Sequence, residues 1–204
     1  MKTMKTTTKM ITIKTTNKMK TMKKSIQALS LVAVLFMTSC TDDDAVTIIN
    51  EEELITTVEL ELTNTADATN VVLFKSVDID GEGPDDPVIT VTGTVNASST
   101  YLGEVRFLNE SIAPSEDITE EVIEESNDHE VFYTTSITGL TITKTDVDAN
   151  GNPLGVLSSF QTGAIGTGIL TVVLRHEPIK PNDNTLIGAG GETDAEVSFT
   201  FEVE

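Results

Sequence analysis

Beyond residue 53 the chain alternates between apolar and polar side chains with a period of two, the repeat of a half-buried strand. Leu54, Thr56, Val58, Leu60 and Leu62 fall on one face of a first strand, with Thr57, Glu59 and Glu61 on the other. At the far end Ala195, Val197, Phe199, Phe201 and Val203 alternate with Glu196, Ser198, Thr200, Glu202 and Glu204 in the same way. Between them, runs rich in Val, Ile and Thr predict strands over 70–77, 88–95, 100–108, 130–137, 140–145, 154–162 and 168–176. Gly, Asn and Asp separate these runs.

One segment departs from this period. In Ser115–Ser126, Ile118, Val122 and Ile123 recur at helical spacing, Pro114 limits extension backwards, and Ser115 with Asp117 supplies a cap. The pattern therefore predicts an all-β fold, an antiparallel β-sandwich of about eight or nine strands over residues 54–204. One short acidic helix crosses between the sheets, its carboxylates turned mostly to solvent.

The front of the chain is different. Eight lysines and no acidic residue precede position 40, and an apolar run from Ile26 to Phe36 follows the last of them, too short for an ordinary membrane-spanning helix. The run ends in Phe36-Met-Thr-Ser-Cys40, which resembles a lipobox with Met37 in place of the usual Leu or Val. Residues 1–39 are thus expected to be a signal segment, with translation starting at Met19 or Met22 and the low-complexity stretch 1–21 a mis-assigned start. Cys40 is the expected lipidation site, and residues 40–53 the lipidated acidic tether of an outer-membrane protein facing the cell surface or the periplasm. As the only cysteine it has no internal disulfide partner.

Cleavage there changes the electrostatics. The chain carries a formal charge of −20. All 33 acidic residues lie after position 40 and eight of the 13 basic ones before it, so the mature part would carry −28. Such a field disfavours nucleic acid and electrostatic docking on anionic membranes, and makes cations the natural partners.

Two turns place oxygen-bearing side chains at alternate positions. The first offers Asp78, Asp80, Glu82 and Asp86, and the second Asp146, Asp148 and Asn150; both carry a glycine where a calcium loop folds back. Ile89 and Leu157 stand where an EF-hand has its closing Glu, which excludes that motif. Turn capping by Asp is the alternative explanation for both.

The two histidines each lie beside acids, in Asp128-His129-Glu130 and His176-Glu177. Parity puts His176 on the face of Leu170, Val172 and Leu174, and His129 on that of Val131 and Tyr133. Were the two rims adjacent, His129 and His176 with Glu130, Glu177 or Glu124 would suit Zn2+ or another divalent transition metal. Hydrogen-bonded strand-end histidines are the competing reading. No nucleophile elbow or phosphate-cradling loop is present, and no carboxylate pair can be singled out for glycoside hydrolysis.

Cys40-Thr-Asp-Asp-Asp44, Val77-Asp-Ile-Asp-Gly-Glu-Gly-Pro84, Asn109–Tyr133, Leu174-Arg-His-Glu-Pro178 and Gly190-Gly-Glu-Thr-Asp194 together resemble a family of small flavobacterial lipoproteins. Asp42–Asp44 resemble the acidic signal that moves such lipoproteins to the cell surface. The resemblance implies association with a TonB-dependent receptor. A type 1 periplasmic-binding fold, a label some members carry, would imply a doubly wound α/β protein of about twice this length, whereas the strands here are consecutive. The expected function is a non-enzymatic binding lipoprotein that captures a divalent cation or metal complex for such a receptor. The alternative is an adhesion or scaffold module rigidified by Ca2+.

Overall fold

The computed structural model describes residues 54–204 apart from Glu82. The signal segment, Cys40, the tether and the Glu82 side chain lie outside the described residues. The described residues form one compact unit.

The chain runs β1 (Thr57–Asn64), β2 (Val71–Val77), β3 (Val88–Thr92), β4 (Thr100–Asn109), β5 (Glu116–Asp117), α1 (Ile118–Glu124), β6 (His129–Thr135), β7 (Thr141–Lys144), β8 (Leu157–Gln161), β9 (Gly166–His176), α2 (Leu186–Ala189) and β10 (Glu192–Val203). The larger sheet has the order β3-β2-β1-β4-β8-β7, with β5 paired to β4. The smaller has the order β10-β9-β6. Every strand pair in both sheets is antiparallel, and the fold is the expected sandwich.

The inward faces meet through rings. Phe74 of β2 packs edge-on against Phe199 and Phe201 of β10, with centroids 5.5 and 5.0 Å away, and Tyr133 of β6 meets Phe160 of β8 at 5.6 Å. Val58, Leu60 and Leu62 join this core, as do Leu170, Val172 and Leu174. The solvated face keeps its carboxylates exposed or tied to lysine, as in the 2.8 Å pair of Lys75 with Glu59. The end of β10 is fastened by hydrogen bonds of Glu204 with Val95 and Ala97.

Differences from the sequence expectation are local. The helix is seven residues long and starts after Asp117, whose carboxylate accepts from the Thr119 amide, because Glu116 and Asp117 are drawn into a short pairing with β4. Ile118 and Val122 are buried but Ile123 is half exposed, and so is Leu54 at the front of the first strand. The short helix α2 carries no charged side chain and no apolar repeat long enough to register as a period.

Candidate metal centre

β6 begins with His129 and β9 ends with His176, and their antiparallel register sets the two residues directly opposite each other. The rings stack with centroids 4.8 Å apart and planes inclined by 21°. Both sit at the end of the inward face, as the alternation of β6 and β9 requires. Nδ1 of His129 lies 3.2 Å from the Glu125 carbonyl, just beyond α1. A carbonyl only accepts, so Nδ1 carries the hydrogen, and in the neutral ring Nε2 holds the lone pair.

That nitrogen faces the carboxylate of Asp194. His129 Nε2 is 3.8 Å from Asp194 Oδ2, and His176 Nδ1 is 3.9 Å from Asp194 Oδ1. One ligand atom from each of the three residues lies within 4.8 Å of the others. Among the described residues this is the one group of three metal-ligating side chains that converges so closely.

Asp194 reaches the site through a break in the strand's period. In the β10–β9 register, Thr193 opposes Arg175 and Ala195 opposes Leu174, leaving Asp194 without an opposite residue. Thr193 points outward, where its hydroxyl accepts from the Arg175 guanidinium at 2.7 Å, while Ala195 packs on the core. Strict alternation from Ala195 would turn Asp194 outward with Glu196. The bulge absorbs one extra residue and turns Asp194 toward the histidines. Just before it, Gly191 at φ +72° passes so close to the His176 carbonyl that a Cβ would fall 2.3 Å from that oxygen.

The three side chains are 0% (His129), 11% (His176) and 3% (Asp194) exposed, so solvent reaches the cluster from the side of His176. In a tetrahedral site with bonds of about 2.1 Å, ligand atoms stand about 3.4 Å apart. The two histidine–carboxylate separations of 3.8 and 3.9 Å exceed this by about half an ångström, and the widest spread of the three ligand atoms, up to 4.8 Å, calls for side-chain rotation before all three could close on one ion. Two imidazoles and one carboxylate suit Zn2+ or another divalent first-row metal better than Ca2+, which prefers an all-oxygen cage.

Comparison with family models, curated proteins and solved structures finds no match to this chain. The site is therefore read from its geometry alone.

The carboxylates expected beside the histidines are elsewhere. Glu130 points to the opposite face of β6, where Oε1 lies 2.5 Å from Lys144 Nζ and Oε2 accepts from the Asn182 amide at 2.7 Å. Glu177 and Glu124 are exposed. Lys144 also lies 3.9 Å over the Phe132 ring, and burial pulls its pKa down against the opposing pull of Glu130.

The two Asp-rich turns are built differently from each other. Around the first, Asp78 is half buried, Asp80 and Asp86 are exposed, and Asp80 caps the turn by accepting from the Asp85 amide. In the second, Asp146 accepts from the Gly155 and Leu157 amides at 2.7 and 3.0 Å. Asp148 accepts from the amides of Asn150 and Asn152, both at 2.8 Å, and from the Asn152 side chain. The Lys180 ammonium completes its environment at 3.4 Å and also donates to the carbonyls of Ser126 and His129. Burial would raise the Asp148 pKa, but the Asn152 and Asn150 donors together with Lys180 hold it below the usual carboxylate range. The cation of this turn is a lysine supplied by the chain.

Proposed function

We propose that this chain is a lipid-anchored binding protein that captures a divalent transition metal, with Zn2+ as the reference ion, at His129, His176 and Asp194. The observation that carries the reading is the convergence of those three side chains at the end of the smaller sheet. Three protein ligands with solvent access past His176 leave a coordination position for water or for a ligand that arrives with the metal. An exchangeable site of this kind suits capture and release. The reading is non-enzymatic.

Anchoring at Cys40 and hand-over to a TonB-dependent receptor remain part of the proposal, supported by the lipobox-like sequence, the family resemblance and an anionic surface that concentrates cations. Among the described residues no helix is long and apolar enough to cross a membrane. The decisive experiment is a zinc titration of the purified chain and of His129→Ala, His176→Ala and Asp194→Asn. Each variant should bind on the order of a hundredfold more weakly. Unchanged zinc affinity in all three would overturn the assignment.

A further inference from the structure

A second polar centre lies on the other side of β6. Here the edge of β6 faces β7 across a cleft of about 260 Å³, lined by Glu130 and Tyr133, by Ile142 and Lys144, and by Pro153 and Asn182 from the flanking loops. The side chains of Lys144 and Glu130 are only 8% and 3% exposed, and they stand side by side at 2.5 Å.

Their hydrogen-bonding capacity is not spent. An ammonium has three donors and a carboxylate about four acceptor sites. Among the described residues Lys144 uses one donor on Glu130 and rests over the Phe132 ring, and Glu130 accepts once from Lys144 and once from Asn182. Lys180, by contrast, places its ammonium on Ser126, His129 and Asp148 and is fully engaged. Beside the engaged Lys180, which also lines it, the cleft therefore presents one positive and one negative group, adjacent, little exposed to water and each with spare capacity for a further partner.

That pairing selects on charge. A ligand with a net charge of either sign would bring an uncompensated charge into a site of low dielectric, and an anion would also meet the field of the whole chain. A neutral ligand with no charges would leave the spare donors and acceptors weakly used. A zwitterion with its charges about 3 Å apart completes an alternating square of four charges with no net change. An α-amino acid has that separation. Tyr133, Ile142 and Pro153 supply an apolar wall for its side chain, and the volume limits it to one small molecule.

We propose that the β6–β7 cleft binds a free α-amino acid with an apolar side chain, its carboxylate on Lys144 and its ammonium on Glu130. This site is separate from the metal centre and does not depend on it.

The test is isothermal titration of the full chain with L-leucine, with 4-methylpentanoate, which lacks the amine, with 3-methylbutylamine, which lacks the carboxylate, and with D-glucose. Binding of L-leucine at least tenfold tighter than either singly charged analogue is expected. Lys144→Met and Glu130→Gln should each weaken it at least tenfold. Because those variants disturb a buried pair, Ile142→Trp provides a second arm: it fills the cleft, keeps the charges and should lose L-leucine while retaining a cooperative unfolding transition and the parent zinc affinity. No heat with L-leucine, equal binding of the analogues, preferred binding of D-glucose, or undiminished binding by Ile142→Trp would each overturn the proposal.

Discussion

His129 and Glu130 are consecutive, buried and polar, yet they serve two centres of opposite construction. On the Glu130 side positive charge is built in: Lys144 balances Glu130 and Lys180 balances Asp148. On the His129 side the converging groups are two imidazoles and a carboxylate, with no lysine or arginine ammonium or guanidinium among them. The first centre brings its own cations with the fold, while the second brings together three side chains that could hold one. A strand buried on both faces can thus hold one half of an ion pair and one member of a cluster of metal-ligating side chains one residue apart.

The largest effect should come from breaking the built-in pair. Truncating Lys144 to Ala strands the Glu130 carboxylate and should cost about 3–5 kcal/mol, read from urea unfolding, whereas replacing Lys144 and Glu130 together by apolar residues should cost far less. Equal losses in the single and double variants would mean that packing, not charge, dominates there.

Next is zinc. At a free concentration of about 100 Kd, the metal should raise the stability of the parent by about 2.7 kcal/mol. His176→Ala should lose that increment, and its own apo stability should change less than that of Lys144→Ala. An increment that persists would place the metal elsewhere.

A smaller effect is expected at Asp148. Its pKa is lowered by folding, so its ionisation stabilises the fold above the unfolded carboxylate pKa, and this contribution fades as pH falls through the lower folded value. The stability gap between the parent and Asp148→Asn should be full at pH 7 and shrink below about pH 4. A gap independent of pH would show that hydrogen bonding alone accounts for the residue. Least affected should be Asp80→Asn in the exposed first turn, within about 0.5 kcal/mol, with melting temperatures alike in chelator and in excess Ca2+.

The strands were legible because one-sided burial enforces a period of two, and the inward faces of β9 and β10 follow it. Parity also placed both histidines on inward faces. Their pairing was not legible, since it depends on a non-local strand order that brings β6 beside β9. Asp194 was hidden for a sharper reason: the register shift at Thr193/Ala195 reverses the direction that alternation assigns it. Adjacency in sequence favoured Glu130 and Glu177 instead, although a neighbour on a strand points to the opposite face. A run of Gly190-Gly191 directly before a strand was the available hint, because paired glycines at a strand's start accommodate a close approach or a bulge.

A metal held at these three residues would also impose an order of assembly. A chain emerging from its first residue onward carries both imidazoles through position 176 while the carboxylate at 194 is still to come. Two nitrogen ligands grip a metal far less firmly than a complete set, so tight binding would wait for β10 to dock against β9. Metal retention would then report that the sandwich has closed, and an incompletely folded chain would release the ion rather than trap it.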